Sequence, residues 1–267
     1  MAKLYQSNVE IIENKTLSPN IKLLVFSNSL IAASSFPGKF ISIDCGSTVF
    51  FRRPFCISGI NGNKIEILYR VIGPGTKILA QKKKGDVINV FGPLGNGFPK
   101  EVIKPKNLPV LIAGGTGIAS LRYLAQKCAK PGILFYGAKT KKEIFGLEIF
   151  KKKKWQINIS TDDGSLGAKC NVCDLFSNHL VKSQISNLKF TIFACGPKPM
   201  LKEVIRITGE NNLKCFISLE EKMACGVGAC RGCVTKVSNL KSQISGEFIY
   251  KTVCKDGPVF DSKEIIL

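Results

Sequence analysis

The sequence predicts a multidomain protein in which an antiparallel β-barrel precedes a doubly wound α/β domain and a small cysteine-rich domain. Three observations predict this order. Short apolar stretches separated by turn residues fill residues 1–102, strands alternate with helices from residue 110 to about residue 209, and four cysteines crowd residues 225–254. The first pattern is typical of a small barrel and the second of a doubly wound parallel sheet. We therefore predict domains at residues 1–102, 103–214 and 215–267.

The composition is that of a globular protein with an unusual charge. Of the 267 residues 45% are hydrophobic, and the formal net charge is +20, nearly all from lysine. The lysines fall in short separate blocks without interleaved aromatics, so we expect solvated faces or a docking surface for an acidic partner and no nucleic-acid binding. No signal peptide and no long apolar run is visible. We expect a cytoplasmic protein without a membrane span, whose eleven cysteines stay reduced.

The barrel prediction rests on regularly spaced strands. Apolar stretches at residues 23–26, 40–43, 65–69 and 87–90 are separated by turn signals such as Pro37-Gly38. We also interpret residues 49–51, Val-Phe-Phe, as strand-like. Residues 92–98 are rich in turn residues and end the barrel, and residues 103–109 are the expected linker.

Two motifs in the barrel suit a flavin dinucleotide. In residues 52–58, Arg-Arg-Pro-Phe-Cys-Ile-Ser, an arginine could grip a pyrophosphate bidentately while its neighbours lie against the isoalloxazine ring. In residues 68–76, glycines open a turn and Thr76 begins a predicted helix whose N–H groups could bind phosphate. Taken alone, the first motif also fits an ordinary strand edge and the second an ordinary helix cap.

The middle of the chain has the pattern of a dinucleotide-binding domain. A buried strand at residues 110–113 leads through the glycine-rich turn 114–120 into a predicted helix at residues 121–130. Such strand–loop–helix units bind dinucleotides. Further strands are predicted at residues 132–136, 157–160 and 190–194, and helices at residues 143–150 and from about residue 200 to 209.

Two carboxylates follow the third strand of this domain. Asp162 and Asp163 could bond ribose hydroxyls and repel a 2′-phosphate, which favours NAD over NADP. The pair fits a capped loop equally well, and Lys139 or Lys169 could reverse the preference.

The four C-terminal cysteines have the spacing of an iron–sulfur site. Cys225, Cys230, Cys233 and Cys254 follow the C-x4-C-x2-C…C pattern of plant-type [2Fe–2S] proteins. Each iron needs two thiolates, and Gly226, Gly228 and Gly232 would allow the sharp turns around a cluster. Zinc is the alternative, but zinc sites favour paired C-x2-C motifs and this segment has one such pair. A second C-x2-C, Cys170 to Cys173, is interpreted as incidental.

We expect no catalytic acid or base. The chain has a single histidine, His179, in a predicted helix, where packing or surface exposure is the ordinary role. Hydride transfer between a nicotinamide and a flavin needs positioned rings and no proton donor from the protein.

The motifs, taken together, also make the chain resemble a known protein family. Arg53 to Cys56, Gly75-Thr76, residues 92–97, 114–118 and 195–200, and the Leu219-to-Cys230 run occur in order. With them the chain resembles, over its whole length, the electron-transfer subunits of class B, NAD-dependent dihydroorotate dehydrogenases, within the ferredoxin–NADP reductase superfamily. Residues 223–233 and 253–260 are the most specific part.

The resemblance implies three cofactors: FAD in the barrel, NAD in the α/β domain and a [2Fe–2S] cluster in the last domain. The implied FAD residues are Arg53, Pro54, Phe55, Cys56, Leu68, Tyr69, Arg70, Gly75 and Thr76. The implied NAD residues are Gly114, Gly115, Thr116, Gly117, Ile118, Cys195, Gly196 and Pro197. The implied cluster ligands are Cys225, Cys230, Cys233 and Cys254.

The resemblance further implies a partner and a pathway. The partner would be an FMN-containing dihydroorotate dehydrogenase catalytic subunit, in a heterotetramer with two copies of each chain. Electrons would pass from dihydroorotate through FMN, the cluster and FAD to NAD+, in pyrimidine (UMP) biosynthesis. The alternatives are a related reductase subunit serving a hydrogenase, a glutamate synthase or ferredoxin, a zinc-stabilised binding module, and a basic nucleic-acid-binding protein.

Some residues depart from the family pattern. Cys56 stands where the superfamily usually has Ser or Thr near the flavin N5, and Arg231 places a charge inside the cluster loop. Cys170 and Cys173 replace the expected Gly and Thr.

Overall fold

A closed antiparallel barrel forms the N-terminal part of the chain. The computed structural model describes residues 3–46, 48–103, 107–182, 190–238 and 247–267. The barrel strands close in the order β1-β2-β5-β4-β3-β6 and bury a shared apolar core. They are β1 (Tyr5–Ser18), β2 (Ile21–Ser27), β3 (Phe40–Ile43), β4 (Arg53–Asn61), β5 (Lys64–Arg70) and β6 (Val87–Leu94). The four strand stretches predicted from apolar spacing lie inside β2, β3, β5 and β6, so the barrel is confirmed.

Two local predictions in the barrel are wrong. Residues 49–51 are not a strand, because the Val49 N–H donates to the Gly46 carbonyl at 3.0 Å and closes a turn before β4 begins. The helix α2 (Pro74–Gln81) begins two residues before Thr76. Proline suits the first turn of a helix, where its missing N–H costs nothing. The other helix of the barrel is α1 (Ser29–Ser34).

The second part is a seven-stranded sheet covered by helices. Its order is β10-β9-β8-β7-β11-β12-β15, and every pairing is parallel except that of β15. The strands are β7 (Leu108–Gly114), β8 (Ile133–Ala138), β9 (Gln156–Thr161), β10 (Ala168–Lys169), β11 (Phe190–Cys195), β12 (Cys215–Ser218) and β15 (Val259–Asp261). Strand order reverses between β7 and β11. A doubly wound sheet binds ligands at the carboxyl ends of the strands beside such a point.

The helices of this part differ in detail from the prediction. They are α3 (Lys100–Ile103), α4 (Ile118–Lys127), α5 (Glu148–Lys152), α6 (Val172–Lys182) and α7 (Lys198–Glu210). The predicted helix at residues 143–150 is largely wrong. A 3-10 turn (Lys141–Glu143) comes first, and Gly146, with φ +72°, interrupts the chain before α5. Of the expected linker, residues 104–106 lie outside the described residues, and β7 already begins at Leu108.

A second, three-stranded sheet lies in the C-terminal part. Its order is β14-β13-β16, from β13 (Val234–Ser238), β14 (Phe248–Thr252) and β16 (Ile265–Ile266). However, β12 and β15, which fall inside the predicted third domain, hydrogen-bond into the seven-stranded sheet. The cysteine-bearing segment therefore leaves the large sheet after β12 and returns to it at β15.

The barrel packs firmly against the second part through helix α4. The buried Arg122 guanidinium pairs with Glu66 of β5 at 3.2 Å and with Glu148 of α5 at 3.4 Å. Gln126 bonds the backbone N–H and carbonyl of Ile60 at 3.1 and 2.6 Å. These contacts set the position of the barrel relative to the second part of the chain. Among the described residues, no helix has the length and apolarity to cross a membrane.

Candidate cofactor sites

A cavity of about 440 Å³ lies between the barrel and the second part of the chain. All nine residues predicted to hold FAD line it. They are Arg53, Pro54, Phe55, Cys56, Leu68, Tyr69, Arg70, Gly75 and Thr76. Adjacent strands β4 and β5 and the start of α2 place them together, so residues from two separate motifs share one wall. We call this space the flavin cavity.

One end of the flavin cavity is suited to phosphate. A Cβ atom at Gly75 would lie 3.1 Å from Cγ and Nε of Arg53, so the arginine lies directly across the start of α2. Thr76 Oγ1 accepts hydrogen bonds from the N–H groups of Ile72 and Gly73, both at 3.0 Å, which fixes this turn. A guanidinium over a helix N-terminus gives a pyrophosphate both a charge partner and free N–H donors.

The two neighbouring arginines have different roles. The Arg52 guanidinium reaches the Ser42 and Asn89 carbonyls at 3.4 Å and also bonds the Asn89 side chain, so the barrel holds it. Arg53 alone of the two lines the flavin cavity. Both arginines belong to the sequence motif, but the structure places only Arg53 at the flavin cavity.

The other end of the cavity holds a group of thiol, hydroxyl and carboxyl side chains: Cys56, Ser120, Cys195 and Glu220. The Ser120 hydroxyl interacts with both thiols. Burial raises the pKa of Cys56 to about 12 and also raises that of Cys195, despite this hydroxyl. Both sulfurs are therefore neutral thiols at physiological pH, suited to weak hydrogen bonding and not to nucleophilic attack.

Glu220 is a residue that the motifs did not identify. It lies on the wall that the flavin cavity shares with a second cavity, and its side chain is exposed there. Crowding by protein atoms raises the pKa of its carboxyl. Other wall residues lie outside the set of implied FAD residues, although residues 72–74 fall inside the predicted 68–76 motif: Phe40, Ile72, Gly73, Pro74, Ala119, Ser120, Leu219, Glu221, Met223 and Pro258. Three of them, Leu219, Glu221 and Met223, lie in the run next to the cysteines, and this position was the sequence signal that could have identified them.

The second cavity, of about 540 Å³, opens at the carboxyl ends of β7, β8 and β11. Five of the eight residues predicted for NAD line it: Gly114, Gly115, Thr116, Gly196 and Pro197. Thr116 and Glu220 line both cavities, so the two spaces adjoin. We call this space the nucleotide cavity.

Three of the predicted NAD residues lie elsewhere. Cys195 lines the flavin cavity, and Ile118 is fully buried in the core. Gly117 is also buried, and a Cβ atom there would lie 2.1 Å from the Cys195 carbonyl oxygen. Gly117 therefore allows the turn after β7 to pack against the end of β11, and it lines neither cavity. Sequence reasoning could not separate a packing glycine from a ligand-facing one.

The two carboxylates after the third strand are not equivalent. Asp162 lines the nucleotide cavity together with Lys139. Asp163 Oδ1 accepts from the Ser165 hydroxyl and N–H at 2.6 and 2.9 Å, and these bonds lower the pKa of Asp163. Asp162 thus remains the candidate ribose partner, while Asp163 is the capping residue of its turn.

Arg70 connects the two cavities. It lines both of them, and its Nη1 pairs with Oε1 of Glu143 at 3.1 Å. Glu143 follows β8 and also lines the nucleotide cavity. The single histidine does not line either cavity, and the His179 ring on α6 packs against Phe135 with ring centroids 5.1 Å apart.

The four cysteines of the C-terminal segment form two pairs. The Cys230 N–H donates to Sγ of Cys225 at 3.4 Å, and the Cys254 N–H donates to Sγ of Cys233 at 3.4 Å. Within each pair the thiols also interact with each other. Two pairs of sulfurs match the two irons of a [2Fe–2S] cluster, each of which takes two thiolates. The described residues contain no group of three or more His, Cys, Asp or Glu side chains around a single metal position.

The loop backbone supports the sulfur ligands. Gly226 and Gly228 have φ of +72° and +83°, and the Gly228 N–H donates to Sγ of Cys254 at 3.1 Å. Burial opposes ionisation of Cys225, but N–H groups led by that of Cys230 outweigh it and lower the Cys225 pKa to about 6. N–H groups aimed at sulfur stabilise thiolates and tune cluster potentials. The donor set and its surroundings therefore fit the cluster.

The remaining cysteines do not extend this site. All eleven cysteines are free thiols, and Cys173 is buried with Sγ 3.6 Å from the Met200 carbonyl. Arg231, in the cluster loop, is exposed and has a φ of +54°.

The cysteine segment also closes the flavin cavity. Leu219, Glu221 and Met223 precede the cluster loop and line the cavity, and Pro258 does so from the other side of the loop. The barrel residue Asn96 bonds the backbone of this returning segment, with its N–H donating to the Gly257 carbonyl at 2.6 Å. The cysteine loop and the flavin cavity thus share one wall.

Comparisons with known proteins agree with this arrangement. A family profile described as the iron–sulfur cluster binding domain of dihydroorotate dehydrogenase B matches residues 220–266. A protein of Caldanaerobacter subterraneus subsp. tengcongensis named "Dihydroorotate dehydrogenase B (NAD(+)), electron transfer subunit" is 40% identical over 258 residues, which cover 92% of this chain and 98% of the relative. A protein of Geobacillus sp. with the same name is 35% identical, over 98% of this chain and 99% of that one.

Solved structures show the same architecture. The structure titled "Insights into flavin-based electron bifurcation via the NADH-dependent reduced ferredoxin-NADP oxidoreductase structure" superposes with a TM-score of 0.81 at 26% identity, covering 97% of this chain and 89% of that one. A ferredoxin NADP+ reductase from Neisseria gonorrhoeae, with bound FAD and NADP, has a TM-score of 0.61 at 17% identity over 77% of this chain and 91% of that one, and shows the shared fold. From the full-length sequence matches, the chain belongs to the family of the NAD(+)-dependent dihydroorotate dehydrogenase B electron transfer subunits.

Proposed function

We propose that this chain is the electron-transfer subunit that passes electrons from the FMN of a dihydroorotate dehydrogenase catalytic subunit, through a [2Fe–2S] cluster and FAD, to NAD+. The observation that supports the proposal is that neighbouring sites have wall residues in common or from one segment. Leu219, Glu221 and Met223, which precede the cysteine loop, and Pro258, which follows it, line the flavin cavity, while Thr116 and Glu220 line both the flavin and the nucleotide cavity. The three sites therefore adjoin in the order that electron transfer needs.

Each residue set has a defined task in this scheme. Cys225 with Cys230, and Cys233 with Cys254, would hold the two irons. Arg53 and the start of α2 would bind the flavin pyrophosphate, and the thiol of Cys56 would lie beside the ring. When bound, FAD would exchange single electrons with the iron–sulfur centre and a hydride with the nicotinamide. The protein would position the rings, and we assign no residue as acid or base.

The nucleotide is proposed to be NAD. Asp162 in the nucleotide cavity would accept bonds from ribose hydroxyls and disfavour a 2′-phosphate, although Lys139 lies on the same wall. We further propose that the chain works in the cytoplasm, because eleven free thiols suit a reducing compartment. The partner would be the FMN-containing catalytic subunit, in a heterotetramer with two copies of each chain, within pyrimidine biosynthesis.

The test is an anaerobic absorption spectrum of the purified chain before and after addition of NADH. We expect flavin bands with broad absorbance toward the red, both bleached by NADH. The isolated chain should oxidise NADH with artificial acceptors and should fail to oxidise dihydroorotate until the FMN-containing subunit is added. A colourless protein after anaerobic reconstitution would reject the proposal, and turnover of dihydroorotate by the pure chain would reject the division of labour.

A further inference from the structure

Phe50 is anomalous in its exposure. Of the large apolar side chains that the structure describes, it is the most exposed, at 92%, and the adjacent Phe51 is 47% exposed. The two rings contact each other edge to face, with centroids 4.8 Å apart. Contiguous exposed apolar patches on a protein surface mark sites of interaction, whereas isolated exposed apolar residues are ordinary.

The exposure does not come from a loosely held loop. On one side Val49 is buried and its N–H bonds the Gly46 carbonyl at 3.0 Å. On the other side Arg52 is bonded to the barrel, at 3.4 Å from the Ser42 carbonyl. The chain is therefore anchored on both sides of the exposed pair.

The pair lies next to the phosphate end of the flavin cavity. The Phe51 carbonyl accepts a hydrogen bond from Nη1 of Arg53 at 2.6 Å, and Arg53 in turn lies across Gly75 at the start of α2. Ile72, 76% exposed, lines the cavity close to the same helix start. The phosphate end thus has the exposed Ile72 on its wall and the backbone of Phe51 in contact with its arginine.

The order of these features matches the order of groups in a flavin dinucleotide. The ring end of the cavity holds Cys56, Ser120 and Cys195, and the phosphate end holds Arg53 and Gly75. The adenosine of the dinucleotide is joined to the far side of the pyrophosphate. It must therefore continue beyond Arg53, whose guanidinium bonds the backbone carbonyl of Phe51, next to Phe50 in the chain.

We propose that Phe50 and Phe51 form an adenine-binding surface that makes the site select FAD over FMN. The proposal rests on the flavin site proposed above and adds a specificity determinant to it. Aromatic side chains stack on adenine through dispersion and apolar burial. FMN lacks the adenosine and would gain nothing from this surface.

The test compares two flavins on the full-length chain after flavin removal. Titration with FAD and with FMN gives two Kd values for each variant. Phe50→Ala should weaken FAD binding about tenfold, or about 1.4 kcal/mol, and leave the Kd of FMN unchanged. Phe50→Trp should keep the FAD preference. Leu30→Ala removes an exposed side chain from α1 of the same barrel and should change neither Kd.

The outcomes separate this inference from the proposed function. Unchanged FAD binding by Phe50→Ala and by the Phe50→Ala, Phe51→Ala double variant would overturn the adenine surface. An equal loss of FAD and FMN affinity would overturn it too, since the loop would then act on the whole cavity. If the wild-type chain binds neither flavin, the flavin site itself is wrong and the proposed function falls with it.

Discussion

Three of the four paired cysteines lie on one loop, within residues 225–233, whereas the flavin cavity takes its walls from β3, β4, β5, α2, α4 and the segments on either side of that loop. The cysteine site is held by its own backbone, through Gly226, Gly228 and N–H groups that bond sulfur. The flavin cavity depends on how distant segments pack. Local and distributed sites should therefore respond differently to mutation, even though residues 219–223 connect them.

The largest expected effect is on the cluster. Cys225→Ser removes one of the two thiolates of an iron, so we expect complete loss of the iron–sulfur absorbance with the Kd of FAD changed less than about twofold. Iron and sulfide analysis and flavin titration measure the two sites separately. Cys170→Ser, which changes a half-buried thiol outside the loop, is the matched control and should change neither. Loss of flavin together with the cluster would show that the shared wall makes the two sites one unit.

The second effect is confined to the flavin cavity. Arg53→Ala removes the guanidinium at the phosphate end, and charge-assisted hydrogen bonds of this kind contribute about 1.5–3 kcal/mol. We expect FAD binding to weaken about 30-fold while the iron and sulfide content stays unchanged. Arg52→Ala is the matched control, because that arginine is bonded to the barrel and does not line the cavity. Equal losses from the two variants would contradict the assignment of the cavity to Arg53.

The contrast between the sites also explains which parts were predictable. The cysteine ligands followed from spacing in one segment, and the barrel and parallel sheet from apolar periodicity. Glu220, Ser120 and Pro258 were missed because only tertiary packing brings them to the flavin cavity. Gly117 and Ile118 were included among nucleotide residues because a motif shows that a loop is tight but not which of its atoms face the ligand. The start of α2 was misplaced because Thr76 is a good cap in isolation, while Pro74 fits the first turn.

A third prediction tests the packing on which the distributed site depends. Gly117→Ala would place a Cβ atom 2.1 Å from the Cys195 carbonyl oxygen, so the ends of β7 and β11 must move apart. We expect a loss of about 2–3 kcal/mol in the free energy of unfolding, measured by denaturant titration, with the cysteine site intact in the folded protein. Gly209→Ala is the control, since a Cβ there meets nothing within 4 Å on helix α7. That variant should gain up to about 1 kcal/mol from helix propensity. A Gly117→Ala protein as stable as the wild type would mean that this turn is not a tight packing point.

The smallest effect concerns Glu220 on the wall between the two cavities. Crowding raises the pKa of its carboxyl, and a bound flavin would exclude the remaining cavity water and raise it further. Flavin binding should then take up a proton. Affinity is therefore highest at low pH and falls as pH rises through the pKa of the free protein, above the ordinary carboxyl value of 4.5. Between about pH 5 and pH 8 we expect a two- to threefold decrease in FAD affinity. The effect is small because protein atoms already raise the pKa of Glu220 in the free protein.

Glu220→Gln should abolish this pH dependence, because the amide does not titrate in this range. Glu221→Gln is the matched control, since Glu221 lines the same cavity but pairs with Lys198. Glu221→Gln should keep the pH dependence of FAD affinity of the wild-type protein. FAD titrations at four pH values on the three proteins measure the difference. If the pH dependence of FAD affinity survives in Glu220→Gln and disappears in Glu221→Gln, the assignment to Glu220 is wrong and the neighbouring carboxylate is responsible. The pH dependence of FAD affinity would then come from Glu221, which pairs with Lys198, and not from Glu220.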